Sequence, residues 1–191
     1  MRGALLALPI ITPLLPDDLD VIIPLERQVF QDPWTRRMYL VDLTQNSLAT
    51  YLAVRPAKRD GAETGPLPPI LAWGGFWLMV DEAHIATIAA HPNWRGCGLG
   101  QWLMLALLDA AVGRGALIAT LEVRVSNLAA RTLYEKLGFE VTGHRPRYYR
   151  DGEDGLIMTT PPLAEPALQQ RLAKAREDAL NKLRRCFGDT P

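Results

Sequence analysis

The sequence predicts an α+β fold built on one mixed β-sheet, and three observations carry that expectation. Apolar runs of strand and helix period follow one another as strand, helix, helix, several strands, and then helix and strand in alternation. The chain has 191 residues, 48% of them hydrophobic, enough to bury one substantial core. A glycine-rich turn, Arg95-Gly96-Cys97-Gly98-Leu99-Gly100, joins an apolar strand to an apolar helix.

In chain order, Ile10–Pro13 reads as a short strand, and Asp17–Phe30 as a helix whose stripe is Leu19, Ile22, Ile23 and Val29. Pro16 stands near its start, where a missing N–H costs nothing. After Asp32-Pro33-Trp34, Thr35 is placed to cap a second helix that runs to about Gln45. Thr50–Val54 is a strand. Residues 56–69 hold four prolines and two glycines, the composition of an exposed loop. Ile70–Val80 and His84–Ala90 read as antiparallel strands turning at Asp81-Glu82.

From Leu99, the residues Trp102, Leu103, Ala106, Leu107 and Ala110 recur at helical spacing, and Gly113 and Gly115 mark the end. A buried strand, Leu117–Val125, precedes a helix from Asn127 to Leu137 that stops at Gly138. Glu140–Arg147 and Leu156–Thr160 complete the sheet. The segment from Ala164 to Arg185 places Leu168, Leu172, Ala175, Ala179 and Leu183 on one helical face. Its six basic against two acidic residues between Arg171 and Arg185 suit either a solvated helix packed on the core or a partner-docking surface.

Composition narrows function. Lysine plus arginine equal aspartate plus glutamate at 21 each, so no global field favours nucleic acid or an anionic membrane. The apolar opening Met1–Leu8 meets Pro9 without a cleavage site, which argues against export, and no stretch approaches a membrane span. Cys97 and Cys186 match neither a disulfide framework nor a zinc spacing, and with three scattered histidines no metal site is expected. A reducing cytoplasm is the expected compartment.

The glycine-rich turn suits either a tight turn or a phosphate cradle, since glycine lets backbone amides at a helix start approach an anion. It matches neither the dinucleotide nor the nucleoside-triphosphate fingerprint. Glu122 alternates with Leu121 and Val123, and Val125 falls on their side. A carboxylate inside an apolar strand needs an ion-pair partner or a chemical task. Tyr134 lies beside the core-facing Leu133 and Leu137, where an aromatic ring can simply pack. Cys97 has no histidine base beside it in sequence and is not expected to be a nucleophile.

Taken as a set, Arg95-x-x-Gly98-x-Gly100 after Thr87–Ala90 and His91-Pro92, together with Pro33-Trp34-Thr35, Leu121–Asn127, Leu133–Phe139, Arg147-Tyr148-Tyr149 and Glu153-Asp154, resembles the GNAT superfamily. Within it the chain is similar to the bacterial ribosomal-protein-alanine N-acetyltransferases, the RimI family, over about residues 10–160. The resemblance implies a sheet whose fourth and fifth strands splay to admit acetyl-CoA, over a domain of residues 1–162 interrupted by the 56–69 insertion and followed by a helical tail, 163–191. It implies that Ile88, Ala89 and Ala90 line the pantetheine and acetyl group, that Arg95, Gly96, Cys97, Gly98, Leu99, Gly100 and Gln101 hold the pyrophosphate, and that Asn127 bonds the cosubstrate.

By the same resemblance Glu122 is the general base, with a pKa raised by burial, and Tyr134 protonates the departing thiolate. Trp34, Tyr39, Tyr148 and Tyr149 are expected either to flank the acceptor or to pack in the core and the hairpin, and the acceptor is expected to be a protein N-terminus, an alanine of a small-subunit ribosomal protein. A small amine or lysine acceptor, or a non-catalytic acyl-CoA-binding module, stands as the alternative.

Overall fold

The computed structural model describes residues 7–57 and 67–188. The leader-like reading of residues 1–8 and the loop reading of residues 56–69 therefore fall mostly outside the described residues.

The described strands are β1 (Ala7–Pro13), β2 (Ala49–Ala57), β3 (Ala72–Met79), β4 (Glu82–Ala90), β5 (Ile118–Arg124), β6 (Glu140–Arg145) and β7 (Gly155–Thr159). They form one sheet in the order β1-β2-β3-β4-β5-β7-β6. All pairings are antiparallel except β4 with β5. The helices are α1 (Leu19–Val29), α2 (Arg36–Thr44), α3 (Leu99–Gly113), α4 (Leu128–Lys136) and α5 (Pro166–Phe187). The fold is the α+β mixed-sheet arrangement that the sequence predicts, and helix boundaries agree with the sequence reading to within a few residues. The β3–β4 turn comes one residue early, at Val80-Asp81, because Met79 already pairs with Glu82.

Alternation along the strands divides the apolar side chains between two clusters. Val54, Phe76, Ala83 and Ile85 join α3, α4 and α5 in the larger one. Tyr51, Ala53, Trp73 and Ala89 join α1 and α2 in the smaller. The presence of both Ile85 and Ala89 on one strand, at positions of equal parity, shows that β4 changes face midway. Its register against β3 slips between Gly75↔Thr87 and Phe76↔Ile85, leaving Ala86 as the extra residue of a β-bulge. Beyond the bulge it is Ile88 and Ala90 that pack on the larger cluster.

The parallel pairing of β4 with β5 covers only Glu82↔Ile118, Ala83↔Ala119 and His84↔Thr120. Past that point the strands separate, while β4 keeps β3 as far as Ala90 and β5 keeps β7 as far as Arg124. The expected splay is thus present, and it leaves two facing strand edges with unpaired backbone groups.

Helix α3 is apolar nearly all round because both sides are covered. One side lies on the sheet and the other receives α5. Leu168, Leu172, Ala175, Ala179, Leu183 and Phe187 of α5 are all buried in the larger cluster. The helix packs on the core as its stripe predicts; of its basic residues Lys174, Arg184 and Arg185 are exposed, Arg171 and Arg176 bond to α4 and α3, and Lys182 lies against the glycine turn.

Candidate active site

The splay opens a cleft of about 820 Å³, within the range of small-molecule and cofactor sites. One wall is β4 from Ile85 to Ala90, and the facing wall is β5 from Leu121 to Arg124. The floor at one end is the turn of Arg95, Gly96, Gly98, Leu99, Gly100 and Gln101, and Asn127, Ala130, Leu133 and Tyr134 of the α4 region close the side. Val29, Phe30, Asp32, Trp34 and Tyr149 line the other end.

The turn has the properties of an anion cradle. Gly96 and Gly98 take φ of +80° and +82°, where a side chain would be strained. Helix α3 begins without a side-chain cap, so its first amides lack an intrahelical or capping partner. Uncapped amides and the helix dipole together favour a phosphate there. Gln101 lines the cleft beside them, but its side chain turns away. Its side chain is buried, donating from Nε2 to the carbonyl of Ala175 in α5. Asn127 caps α4, its Oδ1 accepting from the Ala130 amide at 3.1 Å, which leaves its amide nitrogen for the cleft.

Cys97 departs from the sequence reading. It does not line the cleft but points to α5, where it forms a disulfide with Cys186. The partners stand 89 residues apart, a separation that no framework spacing encodes. The expectation of two unpaired thiols is therefore corrected, and the expectation of a reducing compartment loses its support, because disulfides persist mainly in oxidising surroundings. Among the described residues no group of three or more His, Cys, Asp or Glu is placed to hold a metal, and no helix is long and apolar enough to cross a membrane.

Glu122 stands on the β5 wall with its side chain 9% exposed. His84 Nε2 lies 3.1 Å from one carboxylate oxygen, and Arg145 lies 3.1 Å from the other. The hydrogen bond from His84 dominates, burial opposes it, and the charges of His84 and Arg145 add to it. The carboxyl is therefore held below its ordinary value. Burial was expected to raise it; the two partners reverse the sign. Val125, placed by alternation with Leu121 and Val123, lies beyond the strand end and is exposed.

Tyr134 is buried, and burial pushes its phenol well above the ordinary value, so the hydroxyl stays protonated. Phe139 packs on its ring at 5.8 Å. Tyr149 lines the cleft beneath the guanidinium of Arg124, 3.9 Å from its ring centre. Tyr148 stands behind Tyr149 at 5.1 Å and does not reach the cleft. Tyr39, expected near the acceptor, is fully buried.

Three groups escaped the sequence reading. Arg124 gathers Asp32, Asp151 and Glu153, tying the α1–α2 connection to the β6–β7 connection across the mouth of the cleft. Glu26, fully buried in α1, accepts from Tyr39 Oη, from Trp73 Nε1 at 2.7 Å and from the Trp34 amide at 3.2 Å, fixing where Trp34 stands. Burial raises its pKa against those bonds. Lys182 reaches the cleft from α5.

The family model described as "Acetyltransferase (GNAT) family" matches residues 19–139. The chain is 36% identical over 143 residues to a putative [ribosomal protein bS18]-alanine N-acetyltransferase of Bacillus subtilis, covering 74% of this chain and 88% of the relative. It is 32% identical over 150 residues to an N-alpha-acetyltransferase of Sulfurisphaera tokodaii, covering 75% and 87%. Among solved structures, the ribosomal-protein-S18-alanine N-acetyltransferase from Escherichia coli superimposes with a TM-score of 0.67 at 30% identity, over 81% of this chain and 94% of that one. With the splayed sheet, the uncapped glycine turn and these relatives in agreement, the chain belongs to the GNAT acetyltransferase family and is an N-acetyltransferase similar to the ribosomal-protein-alanine enzymes.

Proposed function

We propose that the protein transfers the acetyl group of acetyl-CoA to the α-amine of a protein N-terminus, and that the acceptor is an N-terminal alanine of a small-subunit ribosomal protein. The observation that carries this reading is the cleft between β4 and β5, which has an anion cradle at one end and Glu122 and Tyr134 on its walls. The names of the Bacillus subtilis and Escherichia coli relatives support the choice of acceptor.

Acetyl-CoA supplies an activated thioester, so the chain's task is to position an amine, remove its proton and protect the departing sulfur. The free edges of Ile88–Ala90 and of β5 offer amides and carbonyls to an extended pantetheine arm, as strands offer them to a third strand. The first amides of α3 and the backbone of Gly96–Gln101 take the pyrophosphate. Amides of the Ile88–Ala90 edge stabilise the charge that grows on the carbonyl oxygen.

Glu122 is ionised at neutral pH and accepts the proton of the incoming ammonium through water. Its lowered pKa makes it a poor place to keep that proton, so it passes it on to solvent. Tyr134 Oη, protonated and facing the cleft, donates its proton to the thiolate as the carbon–sulfur bond breaks. The nitrogen–carbon bond that forms completes the amide. Trp34 and Tyr149, which both line the cleft, flank the acceptor, with Tyr148 bracing Tyr149. A ribosomal acceptor goes with a cytoplasmic enzyme, and on this reading the Cys97–Cys186 bond has to withstand reducing surroundings.

Mass spectrometry of the purified protein with acetyl-CoA and peptides beginning Ala, Ser, Met or Gly, beside an N-terminally blocked lysine peptide, tests the reading. A single acetyl on the alanine-first terminus is the expected result. Modification of lysine alone, or cosubstrate binding without any turnover, would replace the reading.

A further inference from the structure

We propose that α5 is part of the acetyl-CoA site and that Lys182 is a phosphate ligand of the cosubstrate. The inference rests on the reading of the cleft as an acetyl-CoA site. Lys182 and the helix that bears it lie outside the 19–139 span matched by the family model.

Three observations place Lys182. It is a lining residue of the cleft, at the same end as Gly96, Gly98 and the uncapped start of α3. Its stem touches the cradle itself, since a Cβ built on Gly98 would meet Lys182 Cβ at 3.0 Å and the Ala179 carbonyl at 3.2 Å. The disulfide between Cys97, the residue before Gly98, and Cys186, one turn beyond Lys182, fastens the helix to the turn at that point. A lysine stem anchored there keeps its ammonium within one side-chain length of the amides that receive phosphate.

The ammonium is available for the task. Lys182 Nζ pairs with Asp178 Oδ2 at 2.9 Å, and Asp178 is shared with Lys136. One carboxylate between two ammonium groups leaves a surplus positive charge, and the Lys182 ammonium has two further donors. Half its side chain or more is shielded, at 38% exposure, which strengthens its interaction with an anion over that of a free surface lysine. Glycine suits position 98 twice, once for its φ and once because a Cβ there would press closely on the lysine stem.

The decisive experiment is isothermal titration of CoA and 3′-dephospho-CoA into the oxidised full-length protein and into Lys182→Ala, Lys182→Arg and Lys174→Ala. Lys174 carries the same charge on an exposed part of α5 away from the cleft, so it reports any general charge effect. Loss of one charge-assisted bond to phosphate predicts a Kd for CoA weaker by about tenfold in Lys182→Ala, largely restored by arginine and unchanged within about twofold by Lys174→Ala. If the weakening disappears with 3′-dephospho-CoA, the ligand is the 3′-phosphate. If it persists, the ligand is the pyrophosphate. Equal affinity of wild type and Lys182→Ala, with the melting temperature of the variant unchanged, overturns the inference. Absence of CoA binding by the wild type overturns the acetyl-CoA reading and this inference together.

Discussion

His84 Nε2, on the last rung joining β4 to β5, lies 3.1 Å from Oε2 of Glu122, two residues beyond its rung partner Thr120. The pair stands where the sheet stops being a sheet, with its ring stacked on Trp77 at 5.9 Å and its carboxylate on the cleft wall. An ionised Glu122 with a histidine at its back has a definite consequence for pH dependence. Its folded-state pKa is below 4.5, so the charged form is the stabilised one, and its contribution is present above 4.5 and lost as pH falls through the lowered value. The acid limb of kcat/KM due to Glu122 is therefore expected below pH 4.5. A limb nearer neutrality that survives in Glu122→Gln assigns it to another group.

Glu122→Gln should fold and bind CoA as wild type does while losing about 10²-fold or more in kcat. Steady-state kinetics beside a CoA titration separates the two effects. A wild-type kcat in this variant removes the general-base assignment and leaves the fold untouched.

Tyr134→Phe removes one hydroxyl from a buried ring, so packing against Phe139 persists and the loss should appear in kcat with little change in the KM for acetyl-CoA. Because burial pushes the phenol upward, ionisation of Tyr134 should add no alkaline limb below pH 10. A limb near pH 9 that vanishes in the phenylalanine variant would contradict that.

Glu26 carries an opposite sign. Its pKa is raised by burial, so its favourable contribution is complete below pH 4.5 and is lost as pH rises through the folded value. Thermal melts from pH 4.5 upward should show wild type losing stability relative to Glu26→Gln. Glu26→Ala, which strands the Tyr39, Trp73 and Trp34 donors, should cost about 1–3 kcal/mol for each buried donor left without a partner. Parallel pH profiles for wild type and the glutamine variant would refute the charge argument.

Opening the Cys97–Cys186 bond with a dithiol, or by Cys186→Ser, should lower unfolding stability by about 2–4 kcal/mol, the usual range for a crosslink closing a long loop. The same change should weaken CoA binding, since the turn and α5 are no longer joined. Melting curves and CoA titrations with and without reductant give both answers, and unchanged values in reductant would show the crosslink to be without effect.

Much of this was written locally. The strands, the helix caps at Thr35 and Asn127 and the glycine turn depend on neighbours a few residues away, and these the sequence discloses. What it hid depends on distant partners. Tyr39 looked available for a substrate until Glu26 took its hydroxyl. Glu26 itself left a signal, for it continues the Leu19–Ile22 stripe of α1 and so sits on the buried face where an ordinary surface glutamate does not. The sign of the Glu122 shift needed His84 and Arg145, brought from two other strands. The apolar girth of α3 was likewise a clue, since a helix buried all round needs a second cover, and α5 is that cover.

The order in which a chain is made gives the crosslink one more meaning. All seven described strands and the turn at Cys97 precede α5, and 89 residues separate the two cysteines in sequence. During synthesis the cleft between β4 and β5 is therefore assembled before the helix that backs it has been made. The far end of that helix, made after every described strand and joined to the turn at Cys97, turns the synthesis of α5 into a condition for a finished cleft.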